Sequence, residues 1–311
     1  MSNDDLGRSN NLAYKVLEYC RYNIASLIRN KDSTDSNANK ETLEVNENTT
    51  LSTEKSSSVK NFIPSITNFK IDAISIGKSY CAVKTRDYIG LSHTPELAGP
   101  FDTLPFFLKE HTGRVFDISE YIESPSLLCR AVGFAALNAV LQILLEEKLT
   151  EAGKYLHYDI HAFEYIFKYI ERHHIGTAAV FGEFPIHSRL KNYLQKLYAF
   201  DIKKREGFEH YSTIANIEAD IPLFIITGSA FMNGTLEFLL NSARLKKAYT
   251  VVIGPSTPLS PVLLHEGVDA AFGLVVKDSC VLNIVQADGD TRHFKRYCRQ
   301  ACMMKEYNSI L

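Results

Sequence analysis

The chain has 311 residues, 45% of them hydrophobic, with 34 basic side chains against 36 acidic ones. That is enough apolar material for two ordinary domains, and a net charge of −2 without a basic block gives no footing for nucleic acid or an anionic membrane surface. Six cysteines at 20, 81, 129, 280, 298 and 302, none in a CxxC, read as reduced thiols of a cytoplasmic protein, and Cys298 and Cys302 lack the second pair that a structural zinc site needs.

The first ten residues, MSNDDLGRSN, are polar and lead into no apolar run, so no secretory signal is expected. Leu12, Val16, Leu17, Tyr22, Ile24 and Leu27 fall largely on one stripe and predict a helix over 11–29. Residues 30–60 are almost devoid of large apolar side chains and rich in Ser, Thr, Asn, Glu and Lys; such a segment cannot offset its ordering entropy and is expected to be a dispensable disordered insertion. Alternation then predicts an antiparallel meander from Ile71–Ser75, Ser79–Thr85 and Asp87–Ser92, with an irregular or helical stretch over 104–110 and a short helix near Ile118. Residues 126–147 form a long helix, apolar on most faces, with Ser124 or Ser126 as cap and Pro125 near the first turn. Its most apolar part, 131–145, is interrupted by Asn138 and Gln142 and is shorter than the ~20 residues of a membrane span, so it is expected to be buried between layers.

After a link over 149–158 comes an amphipathic helix, 163–173, which Gly176 is placed to end, with the His173-His174 pair at its carboxyl end. From Thr177 strand-like and helix-like segments alternate. Strands are expected at 177–180, 198–201, 223–226, 251–253 and 270–276; helices at 188–196, 234–244, 261–266 and 278–287; and a short turn or helix at 209–216. The last of these helices, 278–287, and the tail to Leu311 together are expected to supply a last helix and an edge element. Alternation of this kind requires a parallel sheet with crossover helices. The fold class is therefore α/β: a parallel-sheet domain over 151–311, preceded by a smaller α+β domain over 61–150.

In such sheets ligands sit where strands end and helices begin. Phe181-Gly182-Glu183-Phe184-Pro185 occupies the place of a dinucleotide phosphate loop. It has a single glycine, and Glu183 would repel a pyrophosphate, so no standard NAD(P) fingerprint is present. Asp201 ends the next strand, where an acid can hold ribose hydroxyls or simply be solvated beside Lys203 and Lys204. Thr227-Gly228-Ser229 and Asn233-Gly234-Thr235 flank a loop before a helix; Asn233 or Thr235 can cap that helix, and Gly234 allows close approach of an anion. Gly254-Pro255-Ser256-Thr257-Pro258-Leu259-Ser260-Pro261 fixes three φ angles and keeps three hydroxyls on a stiff loop, the best ligand-facing segment in the chain. Ser256 is not in G-x-S-x-G, which argues against a serine hydrolase. From the first domain, the polar turn His93-Thr94-Pro95-Glu96, and Asn138, are expected to reach the same cleft.

The segments TGSAFMNGTLEFLLNSAR and GPSTPLSPVLLHEGVDAAFGLVVKD, with FGEFP, resemble a Rossmann-like family of unknown function to which heavy-metal chelation is ascribed. IGLSHTPEL with RAVGFAALNAV is similar to that family's first, enolase-N-terminal-like domain, and the resemblance covers about residues 61–290. It implies handling of a transition metal, or of a metal complex, in an interdomain cleft. Imidazole and carboxylate donors suit borderline ions such as Ni, Co, Zn or Fe, and His187, His265, Glu183 and Glu266 flank the two loops expected to converge. The alternative is an enzyme acting on a small anionic or nucleoside-like metabolite held by the same loops. The sequence names a small molecule or metal ion as partner and leaves both enzymatic activity and self-association into a homo-oligomer open.

Overall fold

The computed structural model describes residues 11–24, 68–96, 113–147, 150–203 and 205–305. The expected insertion at 30–60 and the irregular stretch at 104–110 lie outside them.

Helix α1 covers 12–24 and opens on Asn11, whose Oδ1 accepts from the Ala13 amide at 2.8 Å. Its buried stripe is Leu12, Val16, Leu17, Cys20 and Ile24. Strands β1 (Ala73–Ile76), β2 (Tyr80–Thr85) and β3 (Tyr88–His93) form the expected meander. Arg86 takes φ 52° in the tight β2–β3 turn, and the register runs from Thr85 opposite Tyr88 to Tyr80 opposite His93. Helix α2 (Val115–Ser119) tightens into a 3₁₀ turn over Glu120–Glu123. Helix α3 (Leu127–Glu146) follows, capped by Ser126, whose hydroxyl accepts from the Cys129 amide at 3.3 Å.

Helix α3 has 20 residues, so it is long and apolar enough to cross a membrane by length and composition, contrary to the length argument drawn from 131–145. Most of it is nonetheless buried inside the protein. The meander lies directly on it. A Cβ on Gly90 of β3 would come within 2.0 Å of the Ala135 carbonyl oxygen, so only glycine permits this approach.

The large sheet has eight strands in the order β4-β11-β10-β9-β8-β5-β6-β7. These are β4 (Leu156–Tyr158), β5 (Thr177–Phe181), β6 (Lys196–Asp201), β7 (Glu209–His210), β8 (Leu223–Thr227), β9 (Tyr249–Ile253), β10 (Ala270–Val276) and β11 (Cys298–Met304). The pairings among β5 to β10 are parallel; β11 runs antiparallel to both β10 and β4. Helices α4 (Ala162–Arg172), α5 (His187–Tyr193), α6 (Ser229–Met232), α7 (Leu236–Leu245), α8 (Pro261–His265), α9 (Cys280–Gln286) and α10 (Thr291–Phe294) connect them. The central strands are apolar on both faces, as a parallel sheet covered on two sides requires. One face packs with α1, α3 and the meander in a continuous core that includes Val16, Val83, Leu137, Phe224, Val252 and Met303. The other packs on α4 and α5 through Ile166, Ile170, Leu190, Val180 and Ile225. A third core joins Ala82 and Leu91 of the meander to Val281, Val285 and Phe294.

Three local expectations are corrected. Helix α4 is ended by His174, which takes φ 52° while the Ile175 amide donates to the Ile170 carbonyl at 3.0 Å; Gly176 is not the left-handed residue. The link at 149–158 contains β4, and the tail strand β11 is an interior strand between β10 and β4. Neither Asn233 nor Thr235 caps α7 with its side chain; the Thr235 hydroxyl instead donates to the Ala230 carbonyl at 3.4 Å.

Candidate ligand site at the carboxyl ends of the parallel strands

Strand order reverses between β5 and β8: β6 and β7 step away on one side, β9 and β10 on the other. The loops that leave these two strands touch. Gly182, at φ 99°, has no room for a side chain, since a Cβ would stand 2.8 Å from Cγ2 of Thr227. The next loop closes on them in turn. A Cβ on Gly228 would stand 2.4 Å from Oγ1 of Thr257 and 2.9 Å from its amide nitrogen, and one on Gly254, at φ 148°, would be 3.4 Å from the Gly228 nitrogen. Gly182, Thr227, Gly228, Gly254 and Thr257 therefore form one tight seam across three strand ends. Thr227 and Ser229 share a hydroxyl–hydroxyl bond at 3.1 Å within it.

Strand β3 lies across this edge. Asn138 of α3 donates from Nδ2 to the Leu91 carbonyl at 2.7 Å and to the Ser256 carbonyl at 3.4 Å, so it ties β3 to the proline-rich loop. Farther along, Glu96 pairs with Lys203 just beyond β6. His93 is pushed below its ordinary pKa, chiefly by burial, and the charges of Lys203, Glu96 and Asp201 all register at its ring. Asn138 and Glu96 thus each contact a segment that follows a parallel strand.

Two hydroxyls in this region are fully buried and have no protein partner: Oγ1 of Thr94 and Oγ1 of Thr257. Their residues are 4% and 3% exposed. Orphaned buried donors are rare enough that each calls for an unplaced group, a ligand or an ordered water. Beside Thr257 a gap of about 20 Å³, lined also by Leu91, Asn138 and Pro255, has room for one water.

The charged residues are in the opposite condition. Asp201 accepts the Lys203 amide at 3.0 Å and sits 3.3 Å from Nε of Arg205, and Arg205 also pairs with Glu183. Lys203 holds Glu96 below the usual carboxylate range. These cations are the partners that the carboxylates' sequence positions did not reveal, apart from Lys203 beside Asp201.

The remaining candidates stand elsewhere or have structural work. Ser260 is fully buried and caps α8, accepting the Val262 amide at 3.3 Å. Ser256 is buried within its loop. Gly234 lines a separate cavity of about 250 Å³ with Leu12, Arg130, Phe134 and Glu237, and Asn233 and Thr235 flank it there.

The metal quartet is not assembled. Glu183 is held by Arg205; Glu266 pairs with Lys15 of α1 at 2.7 Å; His265 is exposed at the end of α8. His187 lies against the Phe208 ring at 5.1 Å, its pKa lowered chiefly by burial, with Nδ1 buried and without a partner. Among the described residues no group of three or more His, Cys, Asp or Glu side chains is placed to hold a metal ion. The strand-end donors are hydroxyls, amides and carboxylates already engaged by Lys203 and Arg205, which do not fit a resident borderline metal.

Fold and seam define a class: an α/β protein whose small-residue loops gather at the carboxyl ends of parallel strands. Two family models match the chain: DUF4213 over residues 59–141 and DUF364 over residues 166–304, both described as "Putative heavy-metal chelation". The chain belongs to this two-part family. It is similar to a DUF364 protein of unknown function from Desulfitobacterium hafniense DCB-2, with 20% identity and a TM-score of 0.60 over 77% of this chain and 94% of that one. A second structure, a DUF364 protein of unknown function from Pyrococcus horikoshii, gives 20% identity and a TM-score of 0.61 over 78% and 96%. At that identity the likeness speaks for the fold. No curated protein matches the chain.

Proposed function

We propose that the chain binds a small anionic organic molecule between two domains, 61–150 and 151–311, at the seam of the loops after β5, β8 and β9. Any heavy metal handled there arrives as cargo, gripped through its organic ligand rather than by protein donors. The observation that carries this reading is the pair of orphaned, fully buried hydroxyls, Thr94 Oγ1 and Thr257 Oγ1, one from each part of the chain. The ion pairs support it, since Lys203 and Arg205 offset two of the three negative charges of Glu96, Asp201 and Glu183 and so reduce their repulsion of an added anion. Ser256, Gly254 and Thr227 shape the same wall. The family description supplies the metal. The enzymatic alternative uses the same pocket, with Asp201 accepting from the hydroxyls of a nucleoside-like metabolite.

Thermal unfolding in the presence of citrate, phosphate, AMP, Ni(II) alone and Ni(II)-citrate tests this. An organic anion or its metal complex at 100 times its dissociation constant raises stability by about 2.7 kcal/mol. Stabilisation by Ni(II) alone, with none from any anion or complex, would refute the reading.

A further inference from the structure

The start of α1, the first turns of α3, α6 and the start of α7 enclose a cavity of about 250 Å³. Its apolar wall is tightly packed: Leu12, Phe134, Phe231 and Met232 line it and are each at most 4% exposed. The Phe134 and Phe231 rings meet edge to face, with centroids 5.0 Å apart. Close-packed walls of this kind hold their shape without a ligand. The volume lies just under the roughly 300–1,000 Å³ of sites for drug-sized molecules, so it suits a small metabolite. Two ionic groups on the same cavity are unmatched. Arg130 is half-buried, and its Nε donates to the Ser124 carbonyl at 3.1 Å. That bond anchors the guanidinium and leaves its two terminal nitrogens without a partner among the described residues. Glu237 accepts the Leu12 amide through Oε1, which fixes the carboxylate at the start of α7 and leaves Oε2 without a partner among the described residues. Arg130 and Glu237 both line the cavity, yet no ion pair joins them. Glu123 lines it too but is already engaged.

We propose that this cavity binds a free α-amino acid with an apolar side chain. The ligand carboxylate meets the terminal nitrogens of Arg130 as a forked pair, the geometry in which guanidinium recognises carboxylate best. The ligand ammonium meets Oε2 of Glu237, and the apolar side chain lies against Phe134, Phe231 and Met232. A zwitterion satisfies both ionic groups at once. A simple anion leaves Glu237 as a repelling neighbour, and a simple amine leaves Arg130 as one. Beside an apolar wall these charges act through a lower effective dielectric than in water, so each mismatch is felt. The apolar wall supplies affinity, and the two fixed charges select the class of ligand. The site shares no residue with the strand-end seam, and either reading can fail without the other.

The test is a calorimetric titration of the full-length chain with L-leucine, L-phenylalanine, 3-phenylpropionate and 2-phenylethylamine; the last two lack the ammonium and the carboxylate of phenylalanine, respectively. One equivalent of amino acid is expected to bind, with each truncated analogue at least tenfold weaker than phenylalanine. Glu237→Gln keeps an oxygen for the Leu12 amide and removes the charge. It should weaken phenylalanine at least tenfold and leave 3-phenylpropionate no weaker. Arg130→Gln should weaken phenylalanine and 3-phenylpropionate alike and leave 2-phenylethylamine unchanged. A merely structural role for either residue does not produce this crosswise pattern. If Arg130→Gln does not fold, the wild-type analogue series and Glu237→Gln decide. No binding of either amino acid at millimolar concentration, an analogue that binds as tightly as phenylalanine, or an unchanged phenylalanine affinity in Glu237→Gln would each overturn the assignment.

Discussion

The two halves of the strand-end region satisfy their polar groups in opposite ways. On the β5–β6 side, Glu183, Asp201 and Glu96 are each matched by Arg205 or Lys203. On the β8–β9 side the groups are neutral hydroxyls packed against glycines, and the Thr257 hydroxyl is left without a partner. Exposed ion pairs form with whatever is within reach and contribute little, whereas an unmatched hydroxyl in a dry seam is costly unless something else meets it. The neutral half therefore carries the larger cost of leaving a polar group unmatched.

The largest effect should come from Gly228→Ala. Its Cβ would meet the Thr257 backbone nitrogen at 2.9 Å as well as the hydroxyl at 2.4 Å. Overpacking against backbone has no inexpensive relief, and a loss of about 3 kcal/mol is expected in denaturant unfolding. A change below the error of that measurement would mean that the seam is loose. Next is Thr257→Val, which keeps the shape and removes the orphan. Unliganded stability should hold or rise by up to about 1 kcal/mol, while affinity for the anion found in the thermal screen falls about tenfold, or 1.4 kcal/mol. If the affinity of every probe is unchanged, the hydroxyl serves only the water that fits the adjacent gap.

The charged half predicts a pH effect. Burial lowers the folded-state pKa of His93 and of His187 below the ordinary value of 6.5, so each ring is neutral in the fold and the unfolded chain binds the extra proton. Their contribution is present above about pH 6.5 and is lost as pH falls through the folded values. Chemical denaturation at pH 7.5 and 5.5 should show lower stability at the acid value, and His93→Gln should flatten the difference; an unaltered slope would mean that His93 is not the group responsible. The smallest effect is Glu183→Gln. It breaks an exposed pair with Arg205 and should change stability by less than about 1 kcal/mol at low salt and by nothing measurable at 1 M salt.

Much of this was legible in the chain because it follows from local pattern. Apolar runs ending in Thr227-Gly228 and Gly254-Pro255 mark strand ends, and the parallel alternation then dictates that their loops meet. The elements that were missed have little local signal. Strand β4 is three residues long, and β11 carries no alternation, since Ala301, Cys302, Met303 and Met304 are all buried. His174 displaced Gly176 at the end of α4 because the helix stops two residues earlier than glycine would have allowed. At the site, the hydroxyl loops could be named from sequence, but the pairing of Glu183 with Arg205 and of Glu266 with Lys15 could not, and these pairings dissolve the expected metal quartet.

The place of β11 has a consequence for biosynthesis. Among the described residues, strand β4 enters the large sheet solely through its pairing with β11. Tyr158 must therefore wait for Ala301, made about 140 residues later, which at roughly 5–20 residues per second is an interval of roughly 7–30 s. The β4–β11 closure is a long-range pairing of the kind that folds slowly, and from the completion of Val276 until Cys298 is made 22 residues later, roughly 1–4 s, the outer side of β10 is an open strand edge on the ribosome that invites mispairing. A nascent chain stalled before residue 298 would present that edge continuously, which makes it the natural point of engagement for a chaperone.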